Sequence, residues 1–197
     1  MAQILVDTSS GRVVDLLELK PDQIEFESIA HSLSHQCRFA GHTRKFYSVA
    51  EHCYNLSVLV AQTEKLEQPD LSRVVLAVLM HDAAEAYIGD IITPVKESSP
   101  IIMRVEDKIM ETIWQRLGIN GGNMQGVIKK YDKIALASEM WTLLPDRGKR
   151  TMGITQKMTS KLLTDMIDAA PERTPAEGKS LWLSEFAALV EECNIKL

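Results

Sequence analysis

Cysteine is sparse in this sequence of 197 residues, and its placement speaks against the usual structural uses of it. Cys37, Cys53 and Cys193 are odd in number and scattered. That argues against a disulfide framework or a zinc knuckle and suits the reduced thiols of a cytoplasmic protein. Long hydrophobic runs are missing too. Every apolar stretch stops well short of the ~20 residues a membrane span requires, so no membrane partner is expected. The opening Met1-Ala2-Gln3-Ile4-Leu5-Val6-Asp7 has neither the charged n-region nor the long apolar core of a signal peptide, which again points to the cytoplasm. Positive charge is not in excess: a net charge of −5 argues against nucleic acid as the main partner. A small phosphorylated substrate stays open, provided its site is locally cationic. Repeats and low-complexity tracts are absent. With 45% hydrophobic and 25% charged residues, the composition is that of a soluble globular protein. The length suits one domain, residues 1–197, with a radius of gyration of roughly 16 Å.

What is present is arranged around Ala77-Val78-Leu79-Met80-His81-Asp82-Ala83-Ala84-Glu85-Ala86-Tyr87-Ile88-Gly89-Asp90. The apolar run from Val74 to Met80 is too uniform for a surface helix with one wet face and reads as a central, buried helix. It ends in His81 and Asp82, with Glu85 one turn on and Asp90 just past the helix-stopping Gly89. Spacings of three and four residues put Glu85 on the face shared by Asp82 and His81. Charge buried at the end of an apolar helix is costly unless a partner or a metal compensates it. A lone His-Asp dipeptide is most often a satisfied structural pair. Here further ligand types occur elsewhere in the chain, which shifts the balance.

In chain order, Ile4-Leu5-Val6 and Arg12-Val13-Val14 flank a Gly-containing turn and predict a short β-hairpin, too small to stand alone. Ile24, Ile29, Ala30 and Leu33 lead into a short helix ending near Gln36, on which His31 and His35 lie four apart. They form a possible metal pair, but with no nearby acid to complete a site they read better as packing or polar-face histidines. Cys37-Arg38-Phe39-Ala40-Gly41-His42-Thr43-Arg44-Lys45-Phe46-Tyr47 is either a solvated basic loop or an anion-binding wall with an aromatic platform for a base. Ser48-Val49-Ala50-Glu51 is a capping box that opens the next helix, with His52 on its first turn and Val49, Cys53, Leu56, Leu59 and Val60 as a core face. Beyond Asp90, Ile91 to Lys96 reads as an extended segment broken by Pro94. Ile102, Val105, Ile109, Ile113, Trp114 and Leu117 mark an amphipathic helix closed by Gly118. Another helix runs through Val127, Tyr131, Asp132, Ile134, Ala135, Ala137 and Trp141. Asp132 lies among Lys129, Lys130 and Lys133, where a surface salt bridge of little energetic weight is the plain expectation. A basic loop from Pro145 to Gly153 precedes helices over Thr155–Ala169 and Lys179 to about Asn194. The fold class expected is all-α with a small N-terminal β-hairpin.

His52, His81-Asp82 and Asp132, each on a different predicted helix, reproduce the H…HD…D pattern of the HD-domain metal-dependent phosphohydrolases, which the chain resembles over about 29–143. Two neutral imidazoles and two carboxylates can hold one divalent transition metal and leave room for water and a phosphate oxygen. Within that superfamily, Cys37 to Arg44, Tyr47-Ser48-Val49-Ala50-Glu51-His52 and His81-Asp82-Ala83-Ala84-Glu85 with Gly89-Asp90 resemble the 5′-deoxynucleotidases. They resemble still more the phage-associated dATP triphosphohydrolases. The resemblance implies an HD helical bundle with His52, His81, Asp82 and Asp132 as ligands of one divalent transition metal per subunit (Zn, Mn or Co), and Mg possible with the polyphosphate. It implies Glu85 as the acid/base group acting on the water, with Asp90 assisting at the leaving 5′-oxygen. Arg38 would bind the α-phosphate and Phe39 would lie against the base, with His42 beside them. Pro94 would form a pocket wall, and Lys96 and Lys129 would bind polyphosphate. Gly41 departs from the pattern, since a larger apolar residue there helps shape the base pocket, and this leaves base selectivity open. A homo-oligomer is implied, a dimer or a hexamer, in the cytoplasm of a host if the chain is phage-encoded.

Three functions follow as expectations. The first is hydrolysis of a deoxynucleoside triphosphate, dATP foremost, to deoxyadenosine and triphosphate by attack on the α-phosphorus. The second is 5′-deoxynucleotidase action on monophosphates, and the third a non-catalytic nucleotide-binding HD regulator. Glu85 beside the complete ligand set favours an enzyme, and Lys96, Lys129, Arg44 and Lys45 as candidate partners for the extra charge favour the triphosphate. The Gly-Tyr-Pro signature of cyclic-dinucleotide phosphodiesterases is absent, Ala86-Tyr87-Ile88 standing there instead.

Overall fold

The structure, a computed structural model, describes residues 3–197. Two short antiparallel strands, β1 (Leu5–Asp7) and β2 (Val13–Asp15), pair with Val6 opposite Val14. The remaining elements among the described residues are helical: α1 (Phe26–His35), α2 (Val49–Thr63), α3 (Asp70–Leu79), α4 (Glu85–Ile88), α5 (Thr93–Glu97), α6 (Pro100–Leu117), α7 (Gln125–Leu143), α8 (Lys149–Met152), α9 (Lys161–Ala169) and α10 (Pro175–Glu192). The expected all-α class with a small hairpin is what the chain adopts.

The apolar sequence of α3 decides the centre. Val75 to Leu79 are almost wholly buried, and α3 packs against α2, whose Val49, Cys53, Leu56 and Val60 are excluded from solvent. α10 lies across α1, α2 and α3, while α7 packs against α2, α3 and α9 on the other flank. Trp182 of α10 is fully buried and stacks on Phe186, whose ring in turn lies 4.5 Å from that of Phe26. The predicted capping box forms: Ser48 Oγ accepts from the Glu51 amide at 3.1 Å, and Glu51 Oε2 accepts from the Ser48 amide at 3.1 Å. Gly178 lets α10 approach this helix start, since a Cβ there would come within 3.2 Å of Ser48 Oγ.

Three expectations are corrected. The central helix does not continue to Gly89. It stops at Leu79, and residues 81–84 form turns in which Ala83 N–H donates to Met80 O and Glu85 N–H to Asp82 O, both at 2.9 Å. An unbroken α-helix would set successive side chains about 100° apart. The tighter three-residue bonding draws His81 and Asp82 towards one point, and α4 then starts at Glu85. The segment around Pro94 is helical rather than extended, because a proline in the first turn gives up an amide that has no helical partner anyway. Lys45 is taken up structurally: its ammonium donates to the carbonyls of Ile167 and Ala170, both at 2.7 Å, and so caps the C-terminus of α9 instead of standing free for phosphate.

Candidate metal centre and phosphate site

His52 projects from the capped first turn of α2, His81 and Asp82 from the turn after α3, and Asp132 from the middle of α7. Packing of α2 against α3 and α7 brings them together. His52 Nε2 lies 3.2 Å from His81 Nε2, 3.4 Å from Asp82 Oδ2 and 3.7 Å from Asp132 Oδ1. His81 Nε2 lies 3.2 Å from Asp82 Oδ2 and 3.9 Å from Asp132 Oδ1. Asp132 is therefore not the surface salt-bridge residue of the plain expectation, and neighbouring Lys130 pairs with Glu64 instead.

The donor set fits a divalent cation, and the ring nitrogens give the reason. His52 Nδ1 is 2.6 Å from Glu139 Oε1, and His81 Nδ1 is 2.7 Å from the Val78 carbonyl. Both Nδ1 atoms face acceptors, which assigns the proton to Nδ1 and leaves Nε2 as a lone pair on each ring. The His52, His81 and Asp132 donor atoms lie within 4.8 Å of one another, and Asp82 lies 3.4 and 3.2 Å from the two imidazoles. With both imidazole side chains largely closed to water and Asp132 on the open side, the cluster calls for positive charge. The same demand shows in the electrostatics. Burial pushes the His52 and His81 imidazoles down, but Glu139 and Asp82 outweigh it at His52, and Asp82 outweighs it at His81, so both end above their ordinary value. Asp82, although burial pushes it up, is held well below its usual range by the two imidazoles. Cys53, with His81 and Asp82, makes a second group of suitable spacing. Burial raises its thiol to about 11, which keeps it protonated and leaves the nitrogen–oxygen set as the better donors.

Arg38 is the cation nearest to this cluster. It is buried, with Nη1 3.5 Å from Asp82 Oδ2 and Nε donating to Glu139 Oε2 at 3.1 Å. Burial disfavours its charge, but Glu139, Asp82, Asp90 and Glu85 together hold the guanidinium firmly protonated. Arg38 is thus a buried side chain paired with two carboxylates and not a solvated cation of the loop. On the other side stands Glu85, buried, its Oε1 3.3 Å from Lys96 Nζ and its Oε2 without a hydrogen-bond partner among the described residues. In the metal-free protein, burial, then Asp82 and Asp90, raise its carboxyl to about 9, against the pull of Lys96 and Arg38. Burial also raises Asp90, against the pull of Arg38. Gly89, at φ +85°, turns the chain so that the Asp90 amide donates to Gln36 Oε1 at 2.8 Å, while Gln36 Nε2 donates to the Glu85 carbonyl at 3.0 Å. The end of α1 thereby clamps both ends of α4.

The remaining residues are less tightly drawn in. Lys96 is shared between Glu85 and Glu106, the latter at 2.7 Å, so it is not a free cation. Lys96 and His81 line a cavity of about 950 Å³ bordered also by Glu106, Trp114, Gly121 and Ile128. Phe39 does not line it: its ring packs with Ala137, Met140 and Ile154, 5.5 Å from the Arg38 guanidinium. Lys129 is exposed on α7, one turn before Asp132. His42 and Pro94 are exposed, and among the described residues no side-chain hydrogen bond ties His42 to the cluster. His31 and His35 stack on one another, ring centroids 4.2 Å apart, and belong to no group that could hold a metal. Sequence reasoning missed Glu139, Gln36 and Glu106. A signal existed for Glu139, since seven residues after Asp132 is two turns along one helix face. Gln36 had none, because its role arises only where α1 meets α4.

The fold and this cluster define an HD domain. The HD domain family matches residues 30–187, and the chain belongs to that family, a superfamily of metal-dependent phosphohydrolases. An uncharacterized protein of Escherichia coli K12, YfdR, is 39% identical over 143 residues, spanning 73% of this chain and 74% of its own length. An uncharacterized protein of Rhodobacter capsulatus is 40% identical over 114 residues, 56% of each chain. No helix among the described residues is long and apolar enough to cross a membrane.

Proposed function

We propose that the protein is a metal-dependent deoxynucleoside triphosphate triphosphohydrolase that converts dATP and water to deoxyadenosine and triphosphate. The observation that carries this reading is the convergence of two imidazole Nε2 atoms and two carboxylates beside a buried Arg38 and a buried Glu85 whose Oε2 has no hydrogen-bond partner among the described residues. His52, His81, Asp82 and Asp132 would hold the metal, whether Zn, Mn or Co. A divalent ion there lowers the pKa of bound water towards ~7 and neutralises phosphate charge. Arg38 clamps the α-phosphate against the cluster. Glu85 is the acid/base group: in its carboxylate form, which a cation held by the neighbouring cluster and Lys96 at 3.3 Å would favour, it takes up the proton of the attacking water. Asp90 assists as the bond from the α-phosphorus to the 5′-oxygen breaks and that oxygen takes up a proton. Phe39 would lie against the base, with His42 and Pro94 at the rim, and Lys96 and Lys129 would bind the β- and γ-phosphates, with Mg accompanying them. A homo-oligomer, dimer or hexamer, is part of the same reading.

A second reading is favoured by one observation: Lys96 is already paired with Glu106 at 2.7 Å, leaving less free positive charge for a polyphosphate. That suits a 5′-deoxynucleotidase acting on monophosphates. Incubation with dATP, dADP and dAMP, with ion chromatography of the inorganic product, separates the two. Intact triphosphate from dATP supports the first reading, and strong preference for dAMP replaces it with the second. Stepwise release of orthophosphate from dATP would remove attack at the α-phosphorus altogether. No turnover with any divalent metal would leave a nucleotide-binding regulator.

A further inference from the structure

Glu139 is a carboxylate wholly excluded from solvent, yet each of its oxygens is used. Oε1 accepts from His52 Nδ1 at 2.6 Å and from the Tyr47 hydroxyl at 3.1 Å, and Oε2 accepts from Arg38 Nε at 3.1 Å. Asn55 Nδ2 in turn donates to the Tyr47 oxygen at 3.0 Å, which directs the hydroxyl proton towards Glu139. One buried anion thus holds a metal-ligand candidate on α2 and the phosphate-clamp candidate in the loop before α2. Its own position is fixed by α7, two turns after Asp132.

We infer that Glu139 is a positioning residue that sets two functions at once: it fixes the His52 ring with Nε2 bare towards the cation, and it holds the Arg38 guanidinium pointing at the phosphate. The inference rests on the roles given to His52 and Arg38 above. The geometry permits nothing simpler, because burying a carboxylate is costly, and a carboxylate kept only to neutralise Arg38 has no need of a 2.6 Å contact to an imidazole. An anionic acceptor on Nδ1 orients a ligating histidine and strengthens its other nitrogen as a donor. The charge-assisted contact is made through Nε, so the terminal nitrogens of Arg38 stay turned towards the cluster, where Nη1 lies 3.5 Å from Asp82 Oδ2. The chemistry requires two acceptor oxygens on one group. An amide has only one, so a glutamine would turn its NH₂ towards either His52 or Arg38, both of which are donors.

The test uses the full chain with Glu139→Gln and measures binding, so that it stands whether or not nucleotide turnover is found. Mn²⁺ is titrated calorimetrically into metal-free protein, inorganic phosphate into the Mn²⁺-loaded protein, and the melting temperature of the metal-free form is recorded. Loss of an outer partner of a metal-bound histidine costs 10- to 100-fold in metal affinity. We expect that loss together with a phosphate affinity weakened by about tenfold or more, the order of a charge-assisted contact. Glu139→Asp, which keeps the charge but withdraws it by one methylene, gives the same joint loss on a smaller scale and serves if the glutamine variant does not fold. A folded variant with both affinities unchanged and only a lowered melting temperature would make Glu139 a structural anion. Movement of one affinity without the other would overturn the shared role.

Discussion

Lys96 Nζ lies 3.3 Å from Oε1 of Glu85, whose other oxygen is buried without a hydrogen-bond partner among the described residues. A half-satisfied buried carboxyl beside such a cluster has the surroundings of an acid/base group. Glu85→Ala should therefore keep the metal and lose roughly 10²–10⁴-fold in rate, the range for a positioned acid or base. Elemental analysis showing the metal gone from this variant would make Glu85 a ligand instead.

Chelation should abolish hydrolysis, and His81→Ala or Asp82→Ala should leave the protein unable to retain its ion. The melting temperature of the wild type should rise with added Mn²⁺ or Zn²⁺, because an ion bound only by the folded state stabilises it by mass action. Full activity in exhaustively metal-free protein would contradict the centre described here.

The raised Glu85 carboxyl also sets a pH dependence for the metal-free protein. Its value moves from an ordinary 4.5 to about 9 on folding. The folded state then binds this proton more tightly than the unfolded chain, so the contribution of Glu85 is fully present below its ordinary value and is lost as pH rises through that window, whereas the lowered Asp82 and Glu139 carboxyls lose theirs only at acid pH. The His52 and His81 imidazoles, also raised, act in the same direction above their ordinary value. Thermal melts of metal-free protein should show a lower midpoint at about pH 8.5 than at about pH 6, and Glu85→Gln should flatten part of that slope. An unchanged slope in the variant would mean that Glu85 is already ionised.

If Lys129 binds the outer phosphates, Lys129→Ala should weaken dATP turnover by roughly 10- to 150-fold, the equivalent of one charged contact of about 1.5–3 kcal/mol, and spare dAMP. Lys96→Ala should affect both substrates, since it also frees Glu85 and Glu106. Equal dATP kinetics in Lys129→Ala and wild type would leave the monophosphate reading in possession.

Trp182 stacks on Phe186 in the core, and its indole N–H has no acceptor among the described residues. Trp182→Ala should cost about 3–5 kcal/mol in urea denaturation. Trp182→Phe should cost far less, because it removes a buried donor whose lack of a partner costs about 1–3 kcal/mol. Equal losses would show that the N–H is satisfied in solution.

Much of this protein was determined by its sequence alone. The apolar run through Met80 could only be a buried element, Ser48 and Glu51 could cap only the helix that follows them, and Gly118 ends α6 in the left-handed conformation that favours glycine. Such features depend on residues within a few positions of one another, so periodicity and capping chemistry reveal them. His52, His81, Asp82 and Asp132 were legible as a set because a metal centre limits the residue types that serve it. The tertiary structure alone decided the rest. The helix break after Leu79 depends on what His81 and Asp82 must face, and Lys45 is claimed by the carbonyls of a helix more than a hundred residues away. Lys96 loses its freedom to Glu106 on another helix, and Glu139 becomes the common acceptor of His52, Tyr47 and Arg38 only once α2, α7 and the loop before α2 are packed together. Charge pairing and burial act through space, and no spacing along the chain records which distant groups the packing will bring within 3 Å.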